Sequence, residues 1–253
     1  MKEHENRLKA LLMGQQFDEY EVKSSTLETA KKCAHAYAIA TNGIAVLSDF
    51  QQNICYIHSG KLGITLGFPE HFEDRNSAFE NAIFNAIPSD ELLERHILEL
   101  RFFHFLKSIP AREKTDYKAT CLIHFQRDDN DPLPILHSTR YFHCHPNGTA
   151  WLGLCTYAPF PQSGCIVKAN IINTRTGKTM APEQYERYDA QLLSKRQIEI
   201  LSLIAKGYGS KQIAEKLCLS IHTISRHRQD ILSRLNVTNS TAAVEIGMRM
   251  HLI

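Results

Sequence analysis

Long apolar runs are missing from this 253-residue chain. No stretch approaches the roughly 18 residues of a membrane helix, and no charged-then-apolar leader is visible, so membrane insertion and secretion are not expected. Its seven cysteines form no CxxC pair. An odd set without paired spacing argues against a disulfide framework and for a reducing, cytoplasmic setting. Tryptophan occurs once, at Trp151. Gly-rich phosphate loops, internal repeats and low-complexity stretches are absent. What remains is 43% hydrophobic residues, ample for the core of one or two domains.

The C-terminal stretch is written in capped helices. Ser194 and Gln197 form the reciprocal pattern of a capping box. Ile198, Leu201 and Ala205 then recur on one face, widened by Ile200 and Ile204, and Gly207 ends the helix. A second helix starts near Gly209-Ser210 and is expected to bury Ile213, Ala214 and Leu217. Only Cys218-Leu219 separates it from Ser220, an N-cap for a third helix. There Ile221, Ile224, Ile231 and Leu235 are expected to face inward, leaving His222, Ser225, Arg226 and Gln229 on an outward face. Two short helices joined by a tight turn, the second polar and cationic outside, suit insertion into a DNA major groove. Charge agrees. From residue 192 onward nine basic residues stand against four acidic ones, so this segment carries +5 of a chain total of +2 and residues 1–191 carry −3. Such a concentration is the electrostatic footprint of phosphate binding.

Several blocks resemble the LuxR/GerE-type DNA-binding domain in order and spacing. They are Leu193-Ser194-x-Arg196, Ala205-x-Gly207, Lys211-Gln212-Ile213-Ala214, Leu219-Ser220-x-x-Thr223-Ile224-x-x-His227, Leu235-x-Val237 and Leu252-Ile253. The resemblance covers residues 192–253 and implies an all-α four-helix unit. Its third helix would enter the major groove, and its fourth, about Thr241–Met250, would pair two protomers. Gly209, Ser225 and Ser240 depart from the family's usual serine, lysine and arginine. The expected DNA contacts are Ser225, Arg226 and Gln229 at base edges, with Lys211, Thr223, Arg228 and Arg234 at phosphates.

Residues 37–180 read as α+β. Gly43–Leu47 and Ile54–His58 look like a strand hairpin around the polar turn 48–53. Helical pattern runs from Ala78 to Leu106, broken at Ile87-Pro88 and restarted at Ser89-Asp90-Glu91. Strand-like segments follow at Ala119–Arg127, Ile135–His145, Ala150–Tyr157 and Cys165–Ile172. This order, with Gly63–Pro69 and Ile87–Leu92, resembles a PAS sensory domain, an antiparallel sheet with flanking helices. Residues 1–36 are helical in pattern, with apolar faces at Leu8, Leu11, Leu12 and at Leu27, Ala30, Ala34. Residues 181–191 are the expected linker.

Other chemistry is thinner. A phosphoacceptor receiver needs an acidic cluster at a parallel strand, but Asp18-Glu19 lies in a helical context and no βα alternation exists. A homoserine-lactone pocket would bring several tryptophans. His143-Cys144-His145 places two histidines on one strand face, with His137 or His124 as further ligands, or offers an activated cysteine. Ordinary strand side chains are the more economical reading. His96 and His104, beside Phe102, Phe103 and Phe105, read as core packing. No cofactor, metal site or enzymatic activity is expected. The expectation is a cytoplasmic transcription regulator that binds double-stranded DNA as a homodimer. Its front domain would answer a small-molecule or protein signal, with RNA polymerase as a further contact and no membrane partner. The alternative is a PAS-mediated interaction protein with weak or no specific DNA binding.

Overall fold

Alternating apolar residues in the front two-thirds assemble one sheet, and the computed structural model describes residues 2–17, 24–126, 131–161, 169–181, 193–235, 237–249 and 252–253. Helix α1 spans Lys2–Met13 and α2 spans Ser24–Thr41. Strands β1 (Ile44–Asp49) and β2 (Ile54–Ser59) form the expected antiparallel hairpin, turning at Asn53 with φ of 56°. The expected polar turn is shorter than its sequence implies, because Ser48 and Asp49 are buried strand residues. Helix α3 (Lys61–Thr65), strand β3 (His71–Asp74), helix α4 (Asn81–Phe84) and helix α5 (Ser89–Lys107) follow. Pro88 sits at the N-cap of α5, where its missing N–H costs nothing. A 3-10 helix at Ala111–Asp116 leads to β4 (Tyr117–Phe125), β5 (Leu133–Cys144), β6 (Ala150–Pro159) and β7 (Asn170–Asn173). The expected strand from Cys165 is described only at its end, and the expected linker lies almost wholly outside the described residues.

The seven strands lie in the order β3-β2-β1-β6-β5-β4-β7, every pair antiparallel. Strand β1 is covered on both faces, so all six of its residues are buried. On one face α2 lays down Ala30, Ala34 and Ala38, spaced four apart, against Ala45, Leu47, Tyr56, Trp151 and Leu152. Small side chains at that spacing let helix and sheet approach closely. Helix α2 runs through the expected boundary at residue 36 and is part of the sheet's packing. The opposite face carries the larger core, where α1 contributes Leu8 and Leu12 and α5 contributes Leu92, Leu98 and Phe102.

The C-terminal helices are α6 (Lys195–Ala205), α7 (Ser210–Lys216), α8 (Ile221–Arg234) and α9 (Ser240–Arg249). Their apolar cluster contains Leu193, Ile200, Leu201, Ile213, Ile224, Ile231, Leu235 and Ile246, and it also takes in Leu93 and Ile97 of α5. The molecule is therefore a mixed α/β chain with an antiparallel sheet followed by a helical unit. No described helix is long and apolar enough to cross a membrane.

Candidate nucleic-acid interface

Local rules place helix α8. Ser194 Oγ accepts from the Gln197 N–H at 3.3 Å while Gln197 Oε1 accepts from the Ser194 N–H at 2.8 Å, completing the capping box. The buried face of α6 centres on Ile200 and Leu201, with Ile198 and Ile204 at its margins. Gly207 takes φ of 85° beyond the helix end. At α7 only half a box exists. Gly209 has no side chain, and Gln212 Oε1 alone reaches back, accepting from the Gly209 N–H at 2.9 Å. Cys218 turns the chain with φ of 52°, a left-handed conformation unusual for a residue with a Cβ. Ser220 Oγ then accepts from the Thr223 N–H at 3.0 Å and starts α8.

Helix α8 has two faces. Ile224 and Ile231 are buried, with Leu235 just beyond the helix. His222, Ser225, Arg226 and Gln229 are all exposed on the other side. Ile221 departs from expectation. It is 46% exposed, because the first helical position turns away from the stripe formed by residues 224 and 231. Lys211 is exposed near the start of α7. The Thr223 hydroxyl lies 2.9 Å from Ser220 Oγ, so it belongs to the helix cap. Arg234 is half-buried in the last turn of α8.

Arg228 is held more firmly than a free phosphate ligand. It donates to Ser210 Oγ at 3.1 Å and to Ser240 Oγ at 2.7 Å, joining the first residues of α7 and α9 to α8. The serine at 240 is thus the acceptor for Arg228. We expect Arg228→Ala to lower the melting stability of the C-terminal helices by about 1–2 kcal/mol, through two lost charge-assisted bonds. Arg228→Lys should recover little, since one ammonium does not replace a two-pronged guanidinium. Thermal denaturation of the two variants checks both statements; equal stability of Arg228→Ala and wild type would remove the tether.

A second polar constellation lies inside the sheet domain, and sequence reading missed it. Arg95 of α5 is 1% exposed. Its Nη2 is 2.6 Å from Glu80 Oε1 and 3.0 Å from Glu99 Oε1, and its Nε donates to His137 Nε2 at 3.1 Å. That bond fixes the His137 tautomer, leaving Nδ1 to donate toward Cys121 Sγ at 3.7 Å. Tyr157 donates its hydroxyl to Glu80 at 2.7 Å. Burial pushes Glu99 up to about 7 against the pull of Arg95, and burial, with Arg95 and His96, holds His137 well below its usual value. The donor atoms of Glu99, His137 and Cys155 lie within 4.8 Å of one another, a metal-like spacing. The Arg95 guanidinium already stands among them as the resident cation. Beside the cluster is a small cavity of about 30 Å³, closed on one side by Leu8 and Leu12 of α1. Arg95, Glu99, Thr139 and Tyr141 line it, and Arg95 Nη1 has no partner among the described residues.

The tempting triplet at residues 143–145 does not assemble. A bulge shifts the β5–β6 register between Tyr141, His143 and Cys144, so strict alternation fails there. His143 is exposed and His145 is buried, both against Trp151, at ring separations of 5.3 and 5.8 Å. Burial raises the Cys144 thiol to about 11, only partly opposed by Lys114, so it is no activated nucleophile. His96 packs its ring edge-on to Phe84 at 5.1 Å, as expected of a core histidine.

With this geometry in hand, the comparisons are specific for the C-terminal helices. Residues 191–246 match the family described as bacterial regulatory proteins, luxR family. Over 63 residues the chain is 46% identical to the oxygen regulatory protein NreC of Staphylococcus carnosus and 44% identical to that of Staphylococcus aureus. Each match takes in 25% of this chain and 29% of the relative, so the chain spans under a third of the curated relatives' length. The VqmA dimer of Vibrio cholerae, a LuxR-type receptor, aligns over 92% of this chain and 89% of its own, at 12% identity and a TM-score of 0.32. That score carries no argument about the sheet domain. Residues 191–246 thus resemble the helix-turn-helix module of luxR-family regulatory proteins.

Proposed function

We propose that the chain is a cytoplasmic transcription regulator whose C-terminal helices read promoter DNA as a dimer, under control of a PAS-like sensor formed by the sheet domain. The observation that carries DNA reading is the outward face of α8, where His222, Ser225, Arg226 and Gln229 stand exposed on a helix capped by Ser220. Ser225, Arg226 and Gln229 are assigned to base edges. Lys211, Thr223, Arg228 and Arg234 are assigned to phosphates, with Arg228 also tying helices together. Two protomers paired through α9 would set their α8 helices about one turn of duplex apart. A hairpin, short helices and then long antiparallel strands support the PAS-like assignment.

The experiment is binding of a selected site, with salt titration, by the full chain and two variants. Arg226→Ala should cost about 1–3 kcal/mol and relax base preference, as expected for loss of a bidentate contact. Lys211→Ala should weaken all sequences alike and flatten the salt slope by about one ion. Unchanged site preference in Arg226→Ala would remove that residue from base reading. Salt-independent binding by the whole chain would favour the alternative, a protein-interaction regulator.

A further inference from the structure

Three histidines meet at the β3 edge of the sheet, on the face opposite the Arg95 cluster, and nothing described so far uses them. His58 of β2 and His71 of β3 are direct cross-strand partners, and their rings stack at 4.7 Å between centroids. His35, from α2 above the same face, meets the His58 ring edge-on at 5.4 Å. His58 is only 7% exposed, yet neither Nδ1 nor Nε2 has a hydrogen-bond partner among the described residues. A buried imidazole with both nitrogens unsatisfied is costly, and a native structure seldom leaves one without a purpose. His35 and His71 are exposed beside it, and β3 is the outer strand of the sheet.

We propose that His35, His58 and His71 bind one divalent transition-metal ion of the zinc class, with water in the fourth position. Imidazole nitrogen suits zinc, nickel and copper, and three histidines with an open position are an established zinc geometry. A tetrahedral ion with metal–nitrogen bonds of about 2.0–2.1 Å puts the centroids of two liganding imidazoles about 5 Å apart. The two ring separations observed lie on either side of that value. Lys31 is directed elsewhere, 3.9 Å above the Tyr56 ring and 3.2 Å from Glu28. The three sets of nitrogens do not yet fall within one coordination sphere. Binding therefore requires the exposed His35 and His71 rings to turn, a motion their broad terminal torsions allow. Once formed, the site would pin α2 to the β2–β3 edge.

The test is titration of the full chain, free of any histidine tag and stripped by chelator, with Co²⁺ followed by displacement with Zn²⁺. One equivalent should bind and give the visible d–d absorption of tetrahedral cobalt, without a thiolate charge-transfer band. His35→Ala and His71→Ala, both at exposed positions, should each weaken binding by more than about tenfold, at least the loss seen on removing an outer-shell partner. His143→Ala should leave binding intact. His58→Gln should abolish it, with circular dichroism to check folding. Absence of saturable binding, binding that survives loss of both exposed histidines, or a thiolate band pointing to cysteine would each overturn the proposal.

Discussion

Replacing Arg95 by methionine is expected to destabilise the sheet domain by about 3–5 kcal/mol, the range for removing one member of a buried ion pair. Arg95 stands between Glu80 and Glu99, with all three side chains largely sealed from water. Methionine fills the space but leaves the Glu80 and Glu99 carboxyls without their cation in a low-dielectric interior, so that Glu99 must take up a proton and Glu80 loses the partner nearest to it. Against a domain stability of about 5–15 kcal/mol, such a loss is large enough to see directly in urea unfolding. The triple variant Arg95→Met, Glu80→Gln, Glu99→Gln should recover most of it, because the cost is mainly that of the stranded charges. A single variant within 1 kcal/mol of wild type would mean that Arg95 is not what neutralises this cluster.

The second large effect is a pH dependence carried by Glu99. Burial raises this carboxyl from 4.5 in the unfolded chain to about 7 in the fold. The folded state therefore holds a proton that the unfolded state has released, and folding is favoured by acid. The associated stability is fully present below pH 4.5 and is lost as pH rises through about 7. The displacement corresponds to roughly 3 kcal/mol. Buried histidines act in the opposite direction. His58, lowered from 6.5 to about 4 chiefly by burial, contributes stability that is present above 6.5 and lost as pH falls through 4. Comparing wild type with Glu99→Gln cancels that background. The variant should be more stable than wild type at pH 8 and nearly equal to it at pH 4. A difference that does not change between those pH values would rule out Glu99 as the titrating group.

The C-terminal helices were legible because their determinants are local. Ser194 with Gln197, Ser220 with Thr223, and Gly207 lie within a few residues of the backbone groups they serve. Ile221 was misjudged for a geometric reason: it lies three positions before Ile224, but as the first helical residue it turns out of the buried stripe formed by residues 224 and 231. The interior of the sheet domain was illegible because its partners are far apart in sequence. Arg95 meets His137 across 42 residues and Cys155 across 60. One local signal did exist. Arg95 and Glu99 sit four apart among Leu92, Leu93, Ile97 and Leu98, and charges inside so apolar a helix have to find partners. Strand β3 escaped notice because an edge strand can be polar, as His71-Phe72-Glu73-Asp74 is. At residues 143–145 the bulge defeated the two-residue alternation on which the shared-face expectation rested.

Helix α5 presents Arg95 and Glu99 to the cavity, while Leu93 and Ile97, about 200° away around the axis, join the apolar cluster of the C-terminal helices. One helix thus serves two cores. The junction near residue 191 looks, on paper, like a place to cut and graft. A chimera joined there would carry a foreign helical unit onto a sheet domain still displaying Leu93 and Ile97, with nothing shaped to cover them. Transplanting the helical unit without those two side chains, or the sheet domain without their cover, would open apolar surface to water on both sides of the joint.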